Sequence, residues 1–305
     1  MRHVLLTRFL FAVVTVWAVV TVVFIVGRIS GDPILLMVSL ETSKETQAQM
    51  RQSLGLDDPF HVQYARYLLG LTRLDLGMSL TSRLPVSELV ASKLWSSVKL
   101  ALVANVFALS LAIPLGVIAA IKRGTAIDGM ARFIVVAGQA LPHFWVGVLL
   151  IYVFGITLGV LPVAGADTAL HYVLPAFTLG WFVAAPLMRL LRSSMVDALE
   201  SEYVRVARSK GLSSRSVVWR HALRNALIPL TTYGAVQFAV MISGAVVIEV
   251  VFAWPGIGRL AVQSVLTRDF PTIQGVALAV GVMVVVVSAL VDTAYAMIDP
   301  RIRAT

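Results

Sequence analysis

The side chains in this chain that could carry out chemistry are few and far apart. Histidine stands at positions 3, 61, 143, 171 and 221 of 305 residues, and cysteine is absent. Without cysteine there is no disulfide, thiolate metal site, iron–sulfur cluster or thiol nucleophile. No His-Glu-x-x-His places two imidazoles on one helix face. No Gly-Lys dipeptide occurs, which removes the phosphate-binding loop of nucleotide hydrolases, and no Gly-x-Ser-x-Gly elbow is present. Ser243 precedes Gly244 in an apolar run, where small residues serve helix packing more often than attack. Catalytic residues, metal ligands and resident cofactors are therefore not expected. What remains is a set of gate or pathway candidates: His143 inside an apolar stretch, Glu249 towards the end of another, and Trp254 in the loop that follows. Asp292 lies near the end of the last apolar run. Carboxylates near interfaces are reached by water and suit structural or gating contacts better than proton coupling.

The elements that must position these groups are membrane helices. The chain is 58% hydrophobic and 13% charged, with mean hydropathy +0.87. Soluble domains are about half apolar and about a quarter charged. A bilayer core needs about 20 mostly apolar residues per helix. Six runs meet that length: 9–26, 100–121, 133–158, 173–191, 229–247 and 273–291. No small-x-small cleavage site follows the first run, so it reads as an uncleaved anchor. The fold class expected is thus an all-α polytopic membrane protein with six transmembrane helices. Pro114, Pro142, Pro175 and Pro186 lie in or near these runs and can kink them.

The net charge of +9 marks one side of a bilayer better than it marks a nucleic-acid partner. Lys and Arg concentrate in the loops that face inward if the N-terminus is inside. The largest group is Arg189, Arg192, Arg205, Arg208, Lys210, Arg215, Arg220 and Arg224. Lys122, Arg123 and Arg132 form a second. Both termini are expected in the cytoplasm. Residues 30–96 hold six basic and seven acidic residues and form a long outer segment. Thr42 with Glu45 fits a capping box, Gly55 a helix stop, and Asp58-Pro59 the start of a second helix. This segment reads as a lid on the bundle, as a platform for an outside partner, or as both.

Residues 201–229, SEYVRVARSKGLSSRSVVWRHALRNALIP, are basic and helix-forming. Tyr203, Val206 and Ala207 share one helix face, flanked by Arg205 and Arg208. Gly211 stands where a helix must turn left-handed, and Ser213 or Ser214 can cap a second helix through Trp219 and Leu223. The residues alone leave two readings: a solvated basic loop, or a knob gripped by another protein, with Ala207 and Gly211 allowing close approach.

The stretch RVARSKGLSSRSVVWRHALRNALIP resembles the coupling segment of bacterial ABC importer permeases, and within them the oligopeptide/dipeptide/nickel branch. Tyr203, Ala207, Arg208, Lys210, Gly211, Leu212, His221, Leu223, Arg224, Asn225, Leu227 and Pro229 fill the places of that branch's pattern. Arg205-Val206 replaces the Glu-Ala of the wider family, and Arg224 stands at its proline, as also occurs in this branch. Gly31-Asp32-Pro33, LGLDDPFHVQYARYL (54–68), DLGMS (75–79), VFAWPGIGRL (251–260) and DTAYAMIDPRIR (292–303) are similar to further motifs of the branch, in order.

The resemblance implies a type I ABC importer permease fold, a five-helix core plus an N-terminal helix. It implies an N-terminal helix at 1–29, an extracytoplasmic segment at 30–96, a transmembrane domain at 97–298 holding the coupling loop 193–228, and a cytoplasmic tail at 299–305. It further implies a bacterial inner membrane location among lipid, a homologous second permease, two ABC ATPases that carry ATP and magnesium, an extracytoplasmic substrate-binding protein, and a peptide as solute. Nickel, glutathione or another small solute fits the same machinery. An ion-coupled secondary transporter would need intramembrane acids or inverted repeats, and an intramembrane enzyme would need a nucleophile with its base. Neither pattern is clear.

Overall fold

The computed structural model describes residues 2–29, 43–53 and 55–298. Gly31-Asp32-Pro33, Thr42, the tail 299–305 and the side chains of Ser243 and Asp292 lie outside the described residues. The regular elements described are helical, apart from an isolated bridge between Met78 and Pro85. In chain order they are α1 (Arg2–Ile29), α2 (Lys44–Ser53), α3 (Phe60–Thr72), α4 (Val86–Ile121), α5 (Ala126–Ala140), α6 (His143–Leu150), α7 (Val173–Glu200), α8 (Glu202–Ser209), α9 (Ser214–Ser216), α10 (Leu223–Gly244), α11 (Val246–Val251), α12 (Ile257–Leu266) and α13 (Phe270–Ile298). α6 continues as a π-helical stretch, Ile151–Thr157, and a second one, Val217–Ala222, joins α9 to α10.

The expectation of six transmembrane helices is corrected. Among the described residues four helical stretches are long and apolar enough to cross a membrane: Val86–Ile121, Ala169–Glu200, Ser214–Ile242 and Phe270–Ala289. The expected span 133–158 is not one helix. Pro142 lacks a backbone donor and pushes the residue before it out of the helical region. Leu141 (φ −105°, ψ 143°) and Pro142 (φ −60°, ψ 132°) are both extended, and the run divides into α5 and α6. Of the expected first span, 9–26, the apolar stretch described is Val13–Gly27, which lies within α1. Pro114, Pro186 and Pro229 lie inside continuous helices.

The chain forms two compact units. One comprises residues 1–96 and 256–286. Its core is Val86, Val90, Ile257 and Val276, with Leu76, Leu94 and Leu260 against them. Phe24 of α1 sits among the rings of Phe60, Tyr64 and Tyr67 of α3, at 5.1–5.4 Å, and Thr21 shares a hydrogen bond with the Tyr64 hydroxyl. A Cβ at Gly27 would strike the Gln274 amide, and one at Gly281 would meet Val19 at 2.8 Å. Glycine therefore lets α1 and α13 approach closely. Asp269, 2% exposed, stands just before α13 and accepts bonds from the Ser79 hydroxyl and the Leu80 amide. It pins the 75–85 loop.

The other unit comprises residues 97–255 and 287–305. α7 is its axis: 61% of its apolar window is buried, against 22–33% for the other three spans. Lipid tails are as apolar as Leu, so helices in a bilayer gain from close packing more than from leaving lipid. The sequence provides for that with small residues at four-residue spacing. Ala104, Ala108 and Ala112 on α4 are fully buried, as are Ala176, Gly180 and Ala184 on α7. A Cβ at Gly180 would sit 2.5 Å from the Ala104 carbonyl oxygen.

Candidate functional site

The basic segment folds into a small knob at the end of α7. That helix runs unbroken to Glu200, and one extended residue, Ser201 (φ −71°, ψ 155°), connects it to α8. α8 ends in a paired cap. The Leu212 amide donates to the Ala207 carbonyl at 3.3 Å and the Gly211 amide to the Arg208 carbonyl at 2.9 Å. This is the Schellman arrangement, which needs a left-handed residue just past the helix. Gly211 supplies it at φ +76°. Ser213 then caps α9, its hydroxyl accepting from the Ser216 amide at 3.3 Å.

The knob has an inner and an outer face. Val204, Ala207, Val217, Val218 and Ala222 are buried together between α8 and the π-helical stretch. Tyr203, Val206, Leu212 and Trp219 are exposed. Arg205, Arg208, Lys210, Gly211, Arg215 and Arg220 are exposed around them, and Arg224 and Asn225 lie exposed on the first turn of α10. His221 is half-buried. Ala207 does not share the open face with Tyr203 and Val206. It is 6% exposed, three residues on from Val204, and both turn inward. The second helix of the knob is not separate from the following span: Ser214 to Gly244 runs on through π and α turns, with Pro229 inside it.

Sequence reading missed the ionic cluster that anchors the knob's support. Asp128, in the first turn of α5, is 1% exposed. Arg192 of α7 grips it with two parallel bonds, Nε to Oδ1 at 2.9 Å and Nη2 to Oδ2 at 2.8 Å. The Gly124 amide donates to Oδ2 at 3.1 Å, and Arg132 Nε lies 3.1 Å from Oδ1. The Arg192 fork holds the Asp128 carboxyl at about 2, with Gly124 and Arg132 adding to the lowering that burial opposes. Arg123 pairs with Glu200 at 2.9 Å, with both side chains exposed. The signal available in the sequence was an acid followed four residues later by Arg132.

The gate candidates are placed as follows. Glu249 is fully buried and accepts from the Ser97 hydroxyl; the Trp254 amide donates to its main-chain carbonyl at 2.8 Å. Trp254 is fully buried, with its ring edge-on to Tyr172 at 4.5 Å. His143 opens α6 with its ring edge-on to Phe182 at 3.9 Å. Glu249 and Trp254 are thus brought into one turn. Among the described residues no group of three or more His, Asp or Glu is placed to hold a metal ion.

Residues 112–304 match the family described as the binding-protein-dependent transport system inner membrane component, and residues 1–101 match the N-terminal component of the same systems. The chain belongs to this family. Among its relatives are the glutathione transport system permease proteins GsiC of Salmonella typhimurium strain LT2 and Escherichia coli strain K12. Each is 40% identical over 304 residues, covering 99% of both chains. Solved structures share the fold. A crystal structure of an amino acid ABC transporter with histidines superimposes with a TM-score of 0.55 at 18% identity, over 68% of this chain and 94% of that one. An inward-facing MetNI methionine ABC transporter gives 0.55 at 17%, over 69% and 96%. The family is one of transport-system subunits in the inner membrane, and the chain is an ABC importer permease related to peptide, nickel and glutathione systems.

Proposed function

We propose that this chain is one of two permease subunits of an ATP-driven importer for glutathione or a closely similar short peptide. The observation that carries the solute is the 40% identity, end to end, to permeases named for glutathione transport. In this reading a homologous permease completes the pathway. Two ABC ATPases sit in the cytoplasm, where both termini of this chain also lie, and an extracytoplasmic binding protein delivers the solute. The knob at residues 201–224 is the docking point. It offers an apolar patch of Tyr203, Val206, Leu212 and Trp219 ringed by Arg and Lys, which suits a partner groove with an apolar floor and acidic rim. Nucleotide binding closes the ATPase pair, displaces the knob and shifts the helices between inward- and outward-facing states.

The test is uptake of radiolabelled glutathione by cells lacking this permease and complemented with it. ATP-dependent uptake that is lost on removing either the permease or the ATPase supports the reading. Uptake that survives ATP depletion but collapses with an uncoupler refutes it, and so does permease-dependent uptake of labelled nickel with none of labelled glutathione.

A further inference from the structure

We propose that Asp128, acting through Arg192, is the positioning residue that passes movement of the knob into α5 and α7. The inference rests on the docking reading above. The knob joins α7 through a single residue, Ser201, and runs unbroken into α10 at its other end, so the last turns of α7 are one of the two supports that set its direction. From Arg192 to Glu200 those turns reach about 12 Å at 1.5 Å per residue. An arm of that length transmits force only if its root is held. Leu191, Met195 and Ala198 hold it by packing, which resists separation but permits sliding. The Asp128–Arg192 fork is different in kind. Two parallel charge-assisted bonds fix angle as well as distance, and the carboxylate is 1% exposed, so water does not replace a lost partner. Its acceptor sites are filled from three directions: Arg192 on α7, Arg132 on α5 and the Gly124 amide in the α4–α5 turn. The nearby Arg123–Glu200 pair has side chains 58% and 69% exposed, and solvent leaves such a pair little holding power. Further along, Trp181 Nε1 donates to the Ile134 carbonyl at 3.0 Å. α5 and α7 are therefore tied at two levels, and a push on the knob moves both.

The experiment uses the full complex in lipid vesicles, with glutathione as solute. The chain has no native cysteine, so spin labels at Ser209→Cys and Phe133→Cys, both exposed, report the distance between knob and α5. Asp128→Asn keeps the shape and removes the charge. It is expected to broaden that distance distribution and to lower glutathione imported per ATP hydrolysed at least tenfold, with the ATPases still co-purifying. Asp128→Glu is expected to recover part of the ratio. An unchanged ratio overturns the proposal, as does a distribution as narrow as that of the parent. So does loss of import in step with loss of bound ATPase, because that is the mark of a merely structural bolt. If the parent chain itself retains no ATPase, the docking reading has failed instead, and the label distances still decide whether Asp128 fixes the knob.

Discussion

Gly211 gives the sharpest test of the knob. Its φ of +76° lies in the left-handed region, and a Cβ added there meets nothing within 4 Å inside this chain. Substitution therefore carries a conformational cost without an internal clash. For an ordinary L-residue that cost is about 1–2 kcal/mol, greater for a β-branched one and small for Asn, which tolerates the region. If the residue leaves the left-handed region, the Leu212–Ala207 and Gly211–Arg208 bonds of the cap are lost with it. A penalty of 1–2 kcal/mol lowers the ratio of folded to open cap by roughly 5–30-fold, so the folded population of an evenly balanced cap falls roughly 3–15-fold. Apparent affinity for a partner that recognises the cap falls by the same fraction. The assay is titration of the purified ATPase onto the permease in nanodiscs for Gly211→Asn, Gly211→Ala and Gly211→Val. The expected order of affinity is Gly, Asn, Ala, Val, with membrane insertion equal in all four. Val binding as tightly as the parent would refute the role of the cap. Asn as impaired as Val would refute the conformational account and assign the effect to side-chain volume at the partner's surface.

Three further outcomes follow from the packing and charges. Gly180→Ala places a methyl group against the Ala104 backbone oxygen at 2.5 Å. It is expected to cost about 1–3 kcal/mol as overpacking, read as a lower thermal midpoint in detergent, whereas Gly124→Ala meets no atom and pays only for its positive φ. Arg268 is a left-handed non-glycine residue (φ +54°) closing α12 by the same paired cap, with Asp269 N to Ser264 O at 2.8 Å. Arg268→Gly removes the steric penalty and is expected to raise the midpoint, by up to about 1 kcal/mol once the freer unfolded chain is counted. Asp128 has its carboxyl held at about 2 in the fold against 3.8 when free. The unfolded state then binds the extra proton as pH falls, so this contribution is complete above about pH 4 and lost on passing down through about pH 2. Melts of the chain from pH 2 to 5 are expected to show that slope, and Asp128→Asn to flatten it.

How much of this was readable from the residues depends on the distance over which each feature is decided. The cap at Gly211 is local: a basic helix followed by Lys-Gly-Leu leaves the backbone few choices, and the left-handed glycine lies where the pattern puts it. The inward turn of Ala207 is not local. A periodicity of 3.6 groups Tyr203, Val206 and Ala207, but which side of α8 turns inward depends on Val217 and Val218, on the other side of Gly211. The break at Leu141–Pro142 was hidden because residues on both sides are apolar, and a hydropathy window averages across a proline it should stop at. α4 shows the converse. The apolar run reads as 100–121, yet Val86 opens a helix of 36 residues, because no residue between Val86 and Leu100 breaks it. Asp128 and Arg192 are 64 positions apart. Each looks like an ordinary charge near a membrane edge until the fold brings them together.

These features share one mechanical logic within the 97–255 unit. Small residues at four-residue spacing on α4 and α7 bring two backbones close enough for a carbonyl to bar even a methyl group, which makes a stiff pair. A buried bidentate ion pair fixes α5 to that pair at the end nearest the knob. The knob itself is closed by a cap whose bonds satisfy the last carbonyls of α8, so its outer face is presented on a rigid base. Compliance is placed at Ser201, at the Leu141–Pro142 break, and in the π-helical stretch Ile151–Thr157, where hydrogen bonds reach one residue further than in an α-helix and the helix is commonly strained or adapted to function. A subunit that burned its own fuel would need a catalytic centre inside this bundle. A subunit driven as proposed above needs instead a stiff path from the knob to the membrane helices, and the Asp128–Arg192 fork and the close α4–α7 contact supply stiff segments for one.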